Sequence, residues 1–398
     1  MTTTINNKHN KLNVPNLRFP EFQGEWEMCK ASDLLDFYST NSLSWDKLEY
    51  GTTNIQNLHY GLIHVGLPTM VDIDKDNLPN IIDGNVPKNY ELCKEGDVVF
   101  ADASEDTNEV AKAVEFYNLN GKKVVCGLHT IHGRDNKNKT VVGYKGYAFS
   151  SMSFHHQIRR IAQGTKIYSI NSKNFSECYV GIPSKEEQQK IADLLRLIDE
   201  RIATQNKIIE DLKKLKSAIS ENLFKAVNGD VVILSEICEI IKGKQINSEF
   251  LSEKGKYYVM NGGTEPSGYY SDYNVEANTI SISEGGNSCG YVQFNTSPFW
   301  SGGHCYTIQK IADNVDHLYL YHYLKSKEDA IMKLRIGSGL PNIQKKDLAM
   351  FKIKLPTVEQ QKSISTFLSS LERKAEIEEM LLNAMKKEKQ YLLRQMFI

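Results

Sequence analysis

The 398-residue chain has no Cys-x-x-Cys pair, no long apolar run and no proline- or glycine-rich tract. Its seven cysteines, at 29, 93, 126, 178, 238, 289 and 305, are odd in number and dispersed. That excludes zinc-ribbon spacing and a disulfide framework, and it fits buried spectator thiols in a reducing cytoplasm. No stretch approaches the roughly 18 apolar residues of a membrane span. Met1 to Val14 is polar, lacks the apolar core of a secretory signal, and reads with the next two residues as a flexible leader, 1–16.

Signatures of catalysis are also missing. There is no Asn/Asp-Pro-Pro-Tyr/Phe methyltransferase motif, and no Gly-x-x-x-x-Gly-Lys-Ser/Thr loop. Gly285-Gly286-Asn287-Ser288-Cys289-Gly290 has the wrong glycine spacing for a dinucleotide turn. The acids Asp102, Glu105 and Asp106 follow a short apolar run, Asp97 to Phe100, and raise a metal-dependent nuclease as one reading. Ser283-Glu284-Gly285-Gly286 holds the comparable place later in the chain without a matching acid cluster. The histidines lack metal spacing. No catalytic residue and no metal ligand is assigned.

What is present is a soluble composition, 40% hydrophobic and 24% charged, with a net charge of −1. The near-neutral total hides local runs: eleven acids against three lysines from Asp72 to Glu109, then six Lys/Arg against Asp135 from Asn120 to Lys145. A further basic stretch holds Arg159, Arg160, Lys166 and Lys173.

The strongest signal is a duplication. Residues 164–225 and 337–398 align without a gap at a shift of 173. Gly164/Gly337, Ile170/Ile343, Pro183/Pro356, Gln188/Gln361, Leu195/Leu368 and Phe224/Phe397 fall in register. Each copy starts a helix with the same chemistry. Ser184-x-x-Glu187 and Thr357-x-x-Gln360 predict reciprocal capping boxes, each after a proline. Heptad-spaced apolar residues follow, and Ile191, Leu195, Ile198, Ile208 and Leu212 are expected to pair with Ile364, Leu368, Leu371, Leu381 and Met385. A 42-residue helix spans about 60 Å. Gln205 and Glu378 interrupt both stripes at the same heptad position. A polar seam residue fixes register at a cost in stability, so leucine at both is expected to stabilise the pair and loosen its register.

The order is therefore leader (1–16), a mixed strand-rich domain (17–182), a long helix (183–228), a second such domain (229–355) and a second long helix (356–398). The fold class is α+β with internal pseudo-twofold duplication. Ser32-Asp33-Leu34-Leu35 near the start of one domain matches Ser235-Glu236-Ile237-Cys238 near the start of the other; elsewhere they differ.

The opening Leu17-Arg18-Phe19-Pro20-Glu21-Phe22-x-Gly24-Glu25-Trp26, the Gly-Thr/Ser loops and the Pro-x-x-Glu-x-Gln helix starts resemble specificity (S) subunits of type I restriction–modification systems. The resemblance covers nearly the whole chain. It implies two target recognition domains, each reading half of a bipartite site in double-stranded DNA. It also implies an antiparallel coiled coil that spaces them and docks two methyltransferase subunits, with restriction/translocase subunits joining. No cofactor is expected on this chain; S-adenosylmethionine, ATP and magnesium belong to those partners. A cytoplasmic, membrane-free protein follows.

Phosphate is held by Lys/Arg and sequence is read at base edges, which selects the candidates. In the first domain they are Lys122, Lys123, His129, Arg134, Lys137, Lys139, Arg159, Arg160 and Lys166. In the second they are Lys242, Lys244, Lys256, Tyr257, Asn261, Tyr269, Asn287, His304, Arg335, Ser338 and Asn342. Arg134→Ala is expected to weaken binding and flatten the salt slope by about 0.9. Two other readings stand beside this one: a coiled-coil scaffold with two protein-binding domains, and a metal-dependent nuclease using the acidic run.

Overall fold

The computed structural model describes residues 13–337, 339 and 341–398. They divide into two compact units, one running to Gln205 and closed by Leu381–Ile398, the other Asn206–Met380. The long helices are Lys185–Ala226 and Val358–Gln395, so each unit holds part of both.

The first unit is built on a five-stranded sheet in the order Asp36–Tyr38, Thr130–Arg134, Val98–Ala101, Ala113–Asn118, Met70–Asp72. The second has Glu239–Lys242, Cys305–Gln309, Thr279–Ser283 and Val292–Asn295 in the corresponding four places. Beside these lie a four-stranded sheet in the first unit, which includes Gln56–Leu58 and Val124–Cys126, and a three-stranded sheet around Tyr257–Met260 in the second.

Antiparallel pairs then lead into the long helices: Glu27–Lys30 with Tyr179–Ile182, and Asp230–Ile233 with Lys352–Leu355. Gln188 and Gln361, both buried, fasten each helix start to its domain. The Gln188 amide accepts from Val141 N (2.9 Å) and donates to the carbonyls of Pro183 (2.9 Å) and Lys139 (3.1 Å). Gln361 does the same with Asp316 (2.8 Å), Pro356 (2.9 Å) and Asn314 (3.1 Å). This explains the glutamine of the Pro-x-x-Glu-x-Gln start: a buried amide with every partner satisfied clamps strand, loop and helix together.

Each core also receives the end of the helix that belongs to the other repeat. Phe397 lies against Tyr144 and Trp26 in the first unit, and Phe224 against Tyr319 and Tyr323 in the second. Within each unit the helices are antiparallel. Ile191 and Leu195 share a core with Met396 and Phe397, while Asp199 meets Lys389 at 2.6 Å. In the second unit Lys213 pairs with Glu379 (2.6 Å) and Lys216 with Glu372 (2.8 Å).

Four expectations need correction. Ile208 and Leu381 are 39% and 41% exposed, whereas their neighbours Ile209 and Leu382 are buried. The buried stripe steps by four from Gln205 to Ile209 and from Glu378 to Leu382, so the pairing residues lie one place later in both helices. Gln205 itself is buried, and Glu378 is half-buried. The capping boxes are one-sided: Ser184 Oγ accepts from Glu187 N (3.3 Å) and Thr357 Oγ1 from Gln360 N (3.4 Å). The Glu187 carboxylate instead takes two bonds from Arg18, both 2.7 Å, which ties the Leu-Arg-Phe-Pro opening to the helix start. The leader's end is not loose: Asn13 N donates to Glu25 (3.0 Å), and its carbonyl accepts from Trp26 N (2.8 Å). The rest of the leader lies outside the described residues. Finally, the opposed charge runs partly neutralise each other inside the first domain, through Arg134 with Glu91 and Asp97, while Lys145 pairs with Glu115 outside the acidic run.

Candidate nucleic-acid interface

The two central strands of each unit end in the same arrangement. In the first, His129 precedes the strand Thr130–Arg134 and Asp102 follows Val98–Ala101. Asp102 N donates to the His129 carbonyl (3.1 Å), and the two side chains meet at 3.1 Å. In the second, His304 precedes Cys305–Gln309 and Glu284 follows Thr279–Ser283. Glu284 N donates to the His304 carbonyl (2.9 Å), and the side chains lie 3.7 Å apart.

The repeated Gly loops close over these ends. Ile170 N donates to the Asp102 carbonyl (2.9 Å) and Ile343 N to that of Glu284 (2.8 Å). The bridge Gln163–Ser169 in one loop answers Ile336–Asn342 in the other, again at a shift of 173. Gly164 (φ 134°) and Gly337 (φ 106°) turn the chain where a side chain is strained; at Gly164 a Cβ would collide with the Ile167 carbonyl.

In the second unit this end gathers several candidates. Lys242 Nζ donates to Glu284 Oε1 (2.5 Å), Asn261 Oδ1 accepts from His304 N (3.1 Å), and Asn342 is bridged to Gly285. Asn287 and Arg335 are exposed. Lys244, Lys256, Tyr257 and Tyr269 belong to the adjoining three-stranded sheet and its loops. There Lys256 stands 5.0 Å from the Tyr257 ring, Tyr257 packs on Tyr273, and the Trp300 indole donates to the Lys244 carbonyl (2.9 Å). Ser338 lies outside the described residues.

In the first unit the basic stretch is dispersed. His129 stands at the loop end, but Arg134 caps the far end of the same strand, about 15 Å away. Arg134 is buried: it donates to both Asp97 oxygens (2.8 and 2.8 Å), to Glu91 (2.6 Å) and to the Leu92 carbonyl (2.8 Å), and lies over Tyr38. These bonds engage four of its five N–H groups in a buried ionic network, so its role is structural, and the expected phosphate contact is withdrawn. Burial alone pushes Asp97 up, but Arg134 and His132 outweigh it and hold the carboxylate below its usual range. Lys137 donates to the Asp33 carbonyl (2.7 Å) and Lys139 to Glu27 (2.8 Å) at that same far end. Lys122 and Lys123 are exposed on the turn before Val124–Cys126. Arg159 bonds Asn108 (3.1 Å), while Arg160 and Lys166 are exposed.

The sequence reading missed what surrounds His129. Tyr60 meets it edge-on at 5.2 Å, followed by His59 and Trp45, and His64 reaches the Ala103 carbonyl (2.9 Å). The equivalence of Asp102 and Glu284 was also missed. Strand length sets both groupings, and composition carries no trace of it. His129 and His304 are exposed at these loop ends and can accept from and donate to base edges, whereas Glu284 is buried, accepts from Lys242 and Tyr306 (3.0 Å), and holds the loop in place.

The comparisons bear on the duplicated fold. The family model of the type I restriction modification DNA specificity domain matches residues 76–214 and again 227–387, once per domain-and-helix repeat. The MjaX type I specificity subunit of Methanocaldococcus jannaschii is 25% identical over 90% of this chain and 89% of its own length. S.MpnORF638P of Mycoplasma pneumoniae, named as a type I specificity subunit, is 34% identical over 36% of this chain, which spans only 38% of that relative. Among solved structures, the S subunit of the M. genitalium type I restriction-modification system superposes with a TM-score of 0.64 at 19% identity, covering 97% of this chain and 99% of that one. A chain from a study of assembly and conformational transition in the type I R-M system gives 0.59 at 16% identity, over 92% and 96%. Two tandem family matches on two equivalent domains leave one conclusion: the chain belongs to the type I restriction modification DNA specificity domain family.

Proposed function

We propose that this chain is the DNA-recognition subunit of a type I restriction–modification complex. Each domain reads one half of a bipartite site with the loops around its His–acid pair, His129/Asp102 and His304/Glu284. The long helices set the distance between the half-sites and dock two methyltransferase subunits, which carry S-adenosylmethionine. Restriction subunits bring ATP and magnesium. Base pairs between the half-sites go unread.

One observation supports this most: equivalent backbone frames carry different side chains at the same end. A duplicated scaffold with divergent tips is what reading two different half-sites requires, since phosphate and backbone contacts position a domain while base-edge contacts specify. Two readers of duplicated build favour half-sites near multiples of a helical turn, about 34 Å apart.

Mapping methylated adenines genome-wide, in cells expressing this chain with a methyltransferase partner, tests the reading. A single two-part motif with a fixed unread gap is expected, and inserting one helical turn into both long helices is expected to lengthen that gap. A continuous motif, or a gap unchanged by the insertion, contradicts it. Chelator-sensitive cleavage by the chain alone would favour the nuclease reading instead.

A further inference from the structure

Seven thiols read from sequence as spectators are indeed all free and buried, but two of them have company. Cys93, Cys126 and His132 come from three segments of the first domain: the stretch before Val98–Ala101, the end of Val124–Cys126 and the middle of Thr130–Arg134. A bond from Cys93 N to the Val124 carbonyl (2.8 Å) brings the first two alongside, with their sulfurs 3.4 Å apart. The two sulfurs and one ring nitrogen of His132 lie within 4.8 Å of one another. The three residues are 6%, 2% and 0% exposed.

The imidazole is oriented for coordination. Its Nε2 bonds Asp97 Oδ2 at 2.7 Å, and Asp97 is itself held by Arg134 and by Lys94 N (2.8 Å). A carboxylate on Nε2 keeps the ring proton there and leaves a lone pair on Nδ1. That Nδ1 makes no hydrogen bond of good geometry although the residue is fully buried, and the polar group beside it is the Cys126 sulfur. A buried ring nitrogen facing a thiol rather than a well-aligned donor is a place where a metal can fill the lone pair. Two sulfurs and an imidazole backed by a carboxylate are three of the four donors of a Cys/His zinc site together with its outer support, and they suit a thiophilic cation.

We propose that Cys93, Cys126 and His132 bind one thiophilic cation, with zinc(II) the first choice, as a structural tie in the first domain. Binding releases the two thiol protons; two thiolates then balance the dication, and Asp97 is balanced by Arg134, so no net charge is buried. The ion joins the four-stranded sheet, through Cys126, to the five-stranded sheet, through His132. Among the described residues the second domain has no counterpart.

The test uses the full chain, purified under reducing conditions, loaded with zinc chloride and desalted. Mass spectrometry of the metal is expected to find about one zinc per chain, as a single thiolate–imidazole site requires. Cobalt(II) in its place is expected to give a thiolate charge-transfer band. Both signals should be lost in C93S and in C126S and kept in C289S, a buried thiol elsewhere. Zinc should slow hydrogen exchange in the strands around residues 124–134 of the wild-type chain and leave residues 279–309 unchanged, a readout that does not depend on any variant folding. Sub-stoichiometric zinc with no charge-transfer band in the wild-type chain overturns the proposal, and so does a Cys93–Cys126 disulfide in that preparation.

Discussion

The two domains share a frame and differ in how it is filled. Both hang a central antiparallel pair of strands between a clamp at the long helix and a His–acid pair at the loops, and the clamping bonds agree to within a tenth of an ångström. Around that frame the first domain adds a buried ionic network, Asp97–Arg134–Glu91 and Glu115–Lys145, and a fifth strand. Tyrosine hydroxyls are common to both: Tyr144 donates to the Gly181 carbonyl and Tyr147 to Asp199 in the first domain, as Tyr319 does to the Lys354 carbonyl and Tyr321 to Glu372 in the second. Backbone bonds, the buried glutamine and these tyrosine hydroxyls are what the duplication preserved, and they set how a domain meets its helix. The buried ionic network and the loop chemistry were free to diverge.

Charge removal should separate the domains most. Asp97→Asn removes the fully buried counterion of Arg134 and His132, leaving only the part-exposed Glu91, and is expected to destabilise the first domain by about 3–5 kcal/mol. Hydrogen exchange after urea titration should show the loss around residues 98–134 and leave residues 279–309 protected; equal loss in both would break the contrast. The clamps should instead behave alike. Gln188→Ala and Gln361→Ala each strand buried backbone groups and should cost their own domain about 1–3 kcal/mol. A large loss at one and none at the other would show that the frames are not equivalent.

Acid should unsettle the second domain through His322. Burial lowers its pKa from 6.5 to about 4, so the folded chain disfavours the proton that the unfolded chain takes up. The stability this residue permits is complete above pH 6.5 and falls as the pH drops toward 4. His322→Gln, followed by pH-dependent unfolding, should flatten that decline; an unchanged profile would exclude the residue. Smallest is the salt effect. Arg160→Ala or Lys166→Ala should flatten log K against log salt by about 0.9 if the residue meets a phosphate. Arg134→Ala should leave that slope alone and lower stability, reversing what its place in a basic run implies.

Long-period signals were legible in the sequence. The shift of 173, the two helices and the opening motif carried the architecture, because helix periodicity and repeated caps are written locally. Four things were not. Register along the helices slipped by one place at Ile208 and Leu381, because a polar residue at Gln205 and Glu378 moves the stripe by four where three was assumed. Glu187 satisfies Arg18, 169 residues away, in place of its own helix start. The loop ends were opaque: a strand carries its two ends far apart, so Lys137 and His129, neighbours in a basic stretch, face opposite ends of the domain. Cys93, Cys126 and His132 are joined only by strand pairing, which no spacing rule anticipates.

The central claim is that equivalent ends of two equivalent frames each govern one half of a DNA site. Asp102→Ala and Glu284→Ala, each co-expressed with the methyltransferase partner and followed by genome-wide mapping of methylated adenines, address it directly. The account predicts that Asp102→Ala relaxes bases in one half-motif only and Glu284→Ala in the other only, each by about 1–3 kcal/mol of discrimination, with the gap unchanged. Relaxation of the same half by both, or intact motifs in both, would contradict it.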